Sequence, residues 1–179
     1  MRFRTTTTTL VALALVAILI ASGESNTATK VESDDSNSVS DEAEGSASSS
    51  EVFRIGDLVE LGEWQIRVHS VTDPLNSSNE FITPSAGNRW VAVDVEVTNK
   101  ATESAVMSTL MCLELQDASN QNFSIALTAE DFPELDGEVA PNSARRGTAI
   151  FEVPQSAAGL VLKFNCDLFS TGQALIKLN

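Results

Sequence analysis

Two cysteines, a single histidine and a short acidic stretch are where residue type and spacing in this 179-residue chain first suggest chemistry. Cys112 and Cys166 form an even pair, which in an exported chain points to a disulfide. Closing a loop of about 55 residues would stabilise the fold by about 4 kcal/mol on the chain-entropy model. Strand parity argues the other way. Cys112 is opposite in parity to Met111 and Leu113, whereas Cys166 shares the parity of Leu160, Leu162 and Phe164, so a bond requires a bulge or bend between them. Bridge and separate thiols both stay open.

From Glu130 to Glu138 the chain carries five carboxylates in nine residues. Hard cations want several oxygens converging on one point, but the spacing does not match a calcium loop and Pro133 stiffens the middle, so a solvated loop is expected. Asp94 and Glu96 share one side of a strand. Paired carboxylates act across a cleft from separate elements, so these two are expected to face Arg145 or Arg146 on a neighbouring strand. No nucleophile motif accompanies His69, and copper ligation with Met107 and Met111 fails because the methionines and the histidine differ in parity. Phosphate-cradling glycine loops, zinc spacing and dinucleotide fingerprints do not occur. The sequence thus assigns no catalytic residue, cofactor or metal ligand, and the expectation is a protein that is not an enzyme. The remaining candidates are aromatic. Trp64 has core parity, while Trp90 has the parity opposite to its neighbouring valines. Trp90 is therefore either covered by a loop or, with Phe81, part of a contact surface.

These side chains are positioned by strands. Val91, Val93, Val95 and Val97 alternate with Trp90, Ala92, Asp94, Glu96 and Thr98, which predicts a strand with one oily and one wet face. Trp64, Ile66 and Val68 alternate in the same way. Further strands are expected over Phe53 to Leu61, Val106 to Asp117, Arg145 to Val153, Leu160 to Phe164 and Gln173 to Leu178, separated by turn signals such as Asp73-Pro74, Asp136-Gly137 and Pro141-Asn142. Six to eight short strands without alternating helices point to an all-β antiparallel β-sandwich over residues 51–179, with a closed barrel as the structural alternative.

Ahead of this domain lie two unlike segments. Residues 1–23 begin with Arg2 and Arg4 and run through twelve uninterrupted apolar residues from Leu10 to Ala21. This pattern reads as a signal peptide, or as a membrane anchor if it is not cut. Residues 24–50 hold nine serines, seven acids and one lysine; they are expected to be a disordered acidic linker, since Val31 and Val39 alone cannot offset chain entropy. Over the whole chain 25 acidic side chains face 11 basic ones, for a formal charge of −14. That balance excludes a general nucleic-acid binder and leaves membrane contact to the N-terminal segment.

Ile55-Gly56-Asp57, Gly62-Glu63-Trp64 and the run Gly87-Asn88-Arg89-Trp90-Val91-Ala92-Val93-Asp94-Val95-Glu96-Val97-Thr98-Asn99 resemble the bacterial domain-of-unknown-function 4352 family. So do Leu135 to Asn142 and Arg146 to Pro154. The resemblance covers Ile55 to Leu178 and implies an exported, immunoglobulin-like domain similar to the secreted immunoprotective extracellular antigen. It carries across no activity and no site residues. Many members bear a lipid-accepting cysteine directly after the signal, where this chain has Glu24, so lipid attachment is not implied here. The expectation is an extracytoplasmic domain, secreted or tethered to the cell envelope, that binds a protein or envelope component. A secreted protease inhibitor presenting Phe81-Ile82-Thr83-Pro84 is the alternative.

Overall fold

The computed structural model describes residues 27–31, 51–77, 81–128, 131–167 and 172–179. Among them the elements run β1 (Thr29–Lys30), β2 (Val52–Arg54), β3 (Leu58–Leu61), β4 (Trp64–Leu75), β5 (Asn88–Asn99), β6 (Ala105–Met107), the single helical turn α1 (Thr109–Cys112), β7 (Leu113–Gln116), β8 (Asn122–Phe123), β9 (Gly137–Val139), β10 (Ala144–Pro154), β11 (Val161–Phe164) and β12 (Ala174–Lys177).

Val91, Val93, Val95 and Val97 are fully buried, as their period-two spacing requires. Their strand, β5, lies between β4 and β10 in a five-stranded sheet of order β1-β3-β4-β5-β10, antiparallel throughout. A second sheet, β2-β12-β11-β7-β8, packs against it, and β6-β9 forms a small ribbon. The second sheet departs from antiparallel pairing once, where β12 runs parallel to β2. One continuous core joins the sheets, with Trp64, Ile66 and the valines of β5 on one side and Leu115, Leu162, Phe164 and Ile176 on the other. The chain is therefore a β-sandwich.

Three expected boundaries change. The stretch from Phe53 to Leu61 is two strands in different sheets, because a turn at Gly56, with φ of 92°, swings the chain across. The stretch from Val106 to Asp117 is broken by α1, and one helical turn resets the side-chain parity that a continuous strand would have kept. Met111 is consequently 60% exposed rather than a core residue, and Cys112 is buried. The third change lies in the expected acidic linker. Residues 27–31 are not disordered but pair as β1 with β3, because Ala28 packs into the core and the segment's lone lysine, Lys30, meets Asp57 at 3.0 Å. The rest of the linker and the whole signal or anchor segment lie outside the described residues. No helix among the described residues is long and apolar enough to cross a membrane.

A candidate groove on the outer sheet face

The face of β5 turned away from the core carries Trp90, Ala92, Asp94 and Glu96, and register sets their neighbours. On β10 these are Glu152, Ile150, Thr148 and Arg146; on β4 they are Leu75, Thr72, Ser70 and Arg67. The β4 register slips between Val68 and Ser70, a bulge with His69 as its extra residue. The bulge turns Ser70 and Thr72 to the outer face, beside Asp94 and Ala92.

One end of this face is sealed. Trp90 is 2% exposed and packs with Ala92, Ile150, Leu75, Ile82 and Ala126 in a satellite cluster. Its candidate role as a contact surface is therefore corrected: the outward parity is right, but the 81–88 loop covers the ring. Glu152 holds that loop down. Its carboxylate accepts from Asn88 Nδ2 at 2.8 Å, from the Ser85 amide at 3.0 Å and from Trp90 Nε1 at 3.3 Å. These donors, Asn88 first, lower its pKa to about 2. Arg89 ties β4 to the turn after β10, donating to both carboxylate oxygens of Asp73 at 2.6 and 3.0 Å and to the carbonyls of Pro154 and Ala157. Hence Asn88 and Trp90 of the motif help Glu152 fasten the loop, while Arg89 joins β4 to the chain leaving β10.

The other end is charged and open. Arg146 Nε donates to Asp94 Oδ1 at 2.9 Å and its Nη2 to Oδ2 at 2.5 Å. This bidentate pairing lowers the pKa of Asp94, which therefore stays ionised. Arg146, the expected partner, thus faces Asp94, whereas Arg145 donates to the carbonyl of Glu134 at 3.3 Å. His69 Nε2 stands 3.4 Å from Glu96 Oε2, an ion-pair separation without hydrogen-bond geometry. Arg67 Nε is likewise buried and without a hydrogen bond among the described residues.

Between the two ends lies a groove of about 490 Å³, lined by Ser70, Thr72, Asp94, Phe132, Arg146 and Thr148 among others. One wall is the expected solvated acidic loop, which does structural work. Leu135 is fully buried, Asp136 accepts from the amide and hydroxyl of Thr109 at 2.9 and 2.7 Å, and the Pro133 carbonyl accepts from the Thr148 amide at 3.0 Å. Gly147 makes this crossing possible: a Cβ there would lie 2.4 Å from the Leu135 nitrogen. Chemically the groove offers hydroxyls, a matched donor–acceptor pair and one aromatic side chain, Phe132. Such a surface recognises a polar ligand by hydrogen bonds and stacking.

The other candidates lie elsewhere. Cys112 and Cys166 are joined by a disulfide, with Cα atoms 4.5 Å apart. The parity objection falls because α1 turns Cys112 inward. Phe81 is 95% exposed on the loop between β4 and β5. Glu152 and Asp136 leave no local sequence signal as fasteners because their partners are 64 and 27 residues away in sequence.

The family described as Domain of unknown function (DUF4352) matches residues 53–174. Among solved structures, the yjhA protein from Bacillus subtilis is 17% identical with a TM-score of 0.54, covering 71% of this chain and 99% of its own. The ycdA protein of the same species is 15% identical with a TM-score of 0.54, covering 65% of this chain and 36% of its own. A conserved hypothetical protein from Bacillus anthracis is 11% identical with a TM-score of 0.50, covering 71% and 95%. At such identities the likeness is one of fold. No curated protein matches the sequence.

Proposed function

The chain belongs to the domain of unknown function family DUF4352, and from that premise we propose that it is an exported, non-catalytic binding module of the cell envelope. Its groove over Asp94 and Arg146 takes an extracytoplasmic protein or envelope component. The groove itself carries this reading: one end of the outer face is sealed over Trp90, yet the stretch beside it is left open over the Asp94–Arg146 ion pair and three hydroxyls. Export is supported by the apolar N-terminal run and by the disulfide, a bond that persists in oxidising compartments. Asp94 is held ionised, so it serves as an acceptor for a bound group and not as a proton donor at neutral pH.

The test is binding of the exported chain to isolated envelopes, compared with Thr148→Trp, which fills the groove from the outer face of β10. We expect saturable binding by the parent chain and a loss of about tenfold or more in the variant at unchanged melting temperature. Equal binding by both would refute the groove. A second reading, protease inhibition through the exposed Phe81, is favoured by that ring's position beside Ile82, which packs into the Trp90 cluster and fixes the loop. Failure to slow any of a panel of secreted proteases at micromolar chain would eliminate it.

A further inference from the structure

The floor of the groove is the outer face of β5, a strand paired on both sides, with β4 and with β10. Its amides and carbonyls are directed into those two ladders, so a peptide lying across this face finds no main-chain groups to pair with. Recognition here falls to side chains. Ser70 and Thr148 stand opposite Asp94 on its two sides, a row that spans about 10 Å at the usual strand spacing. The hydroxyls of Ser70, Thr72 and Thr148 make no hydrogen bond among the described residues, so they are free to exchange bonds with a ligand.

The charges narrow the class of ligand. Arg146 spends only its Nε and one Nη2 hydrogen on Asp94, which leaves further guanidinium donors beside spare carboxylate lone pairs. Both groups stay reachable, with the Arg146 side chain 53% exposed and that of Asp94 25%. The pair is neutral as a unit and its fork is already filled, so a phosphate or carboxylate finds no bidentate donor, and a chain of net charge −14 repels it. Adjacent neutral hydroxyls meet the pair without such a cost. On the wall, Phe132 is 36% exposed, and the negative face of an aromatic ring attracts the C–H groups along one side of a sugar. The volume of about 490 Å³ suits a small polar molecule or one short stretch of a longer one.

Resting on the reading of this groove as a binding site, we propose that its ligand is an uncharged envelope glycan with vicinal hydroxyls. One hydroxyl donates to Asp94, its neighbour accepts from Arg146, and the C–H side of the sugar ring lies on Phe132.

The test divides isolated envelopes into an untreated portion, a portion digested with a broad-specificity protease that is then inhibited, and a portion oxidised with periodate, which cleaves vicinal diols. Binding of the exported chain is expected to survive the protease and to fall by about tenfold or more after periodate. On untreated envelopes, Phe132→Leu keeps apolar bulk but removes the ring and is expected to bind about three- to tenfold more weakly at unchanged melting temperature, whereas Phe132→Trp retains binding. Loss after protease, binding indifferent to periodate, or undiminished binding by Phe132→Leu would overturn the glycan while leaving the groove a site for another ligand. Absence of saturable binding to untreated envelopes, or equal binding by Thr148→Trp, would instead refute the groove and the glycan together.

Discussion

Replacing Gly147 with alanine would place a methyl carbon 2.4 Å from the Leu135 nitrogen and 2.6 Å from both the Glu134 carbonyl carbon and the Pro133 carbonyl oxygen. All three are backbone atoms, so no flexible side-chain tip can yield, and the 132–136 loop must lift from β10. Overpacking of this kind costs about 1–3 kcal/mol where the surroundings adjust. If the loop detaches, the fully buried Leu135 loses about 1.5–3 kcal/mol of burial and the bond from the Thr148 amide to the Pro133 carbonyl is lost at about 1 kcal/mol. The expected loss is therefore about 2–4 kcal/mol. The control is Gly56→Ala. It meets no atom within 4 Å, and its backbone at φ of 92° charges an L-residue only about 1–2 kcal/mol. Urea unfolding followed by tryptophan fluorescence compares the two variants. Gly147→Ala costing no more than Gly56→Ala would show that the loop does not cross β10 as described.

Removing the disulfide with Cys112→Ala/Cys166→Ala frees a loop of 54 residues' separation and should lower unfolding free energy by about 4 kcal/mol; a midpoint unchanged in urea would contradict it. The Glu152 carboxyl, lowered to about 2 by its donors, contributes stability that is complete above its ordinary pKa and is lost as pH falls from about 4.5 towards 2. Glu152→Gln should therefore flatten the fall in melting temperature across that window; parallel curves for both proteins would count against the fastening. Asn99, fully buried, donates to the Glu103 and Val139 carbonyls and accepts from the Ala101 amide. Asn99→Leu strands those groups and should cost about 3 kcal/mol, measured by chemical denaturation; a loss below about 1 kcal/mol would contradict their burial.

Legibility in the sequence followed the range of the interactions. The alternation from Trp90 to Thr98 revealed β5 and its two faces, because side-chain direction in a strand is a local property. It could not reveal that Trp90 is covered, since the cover comes from Ile82 and Ala126, on other segments of the chain. Parity failed at Cys112 because a four-residue helical turn interrupts the strand, and α1 has too few residues to leave a periodic signature. β1 escaped within an acidic, serine-rich stretch. Its faint signal was that the one lysine and one of only two valines in residues 24–50 stand side by side as Lys30-Val31. Asp94 and Arg146 were readable as partners by charge and strand parity, whereas the groove beside them depends on a loop closing over a glycine.

A photo-crosslinking residue placed at Ser70, within the groove, and another at Met111, exposed beside the disulfide, compare the two surfaces in intact cells. A binding module working through the outer sheet face predicts a discrete crosslinked envelope species from Ser70 that disappears with Thr148→Trp, and none from Met111. Crosslinks from Met111 alone, or from Ser70 regardless of Thr148→Trp, would contradict it.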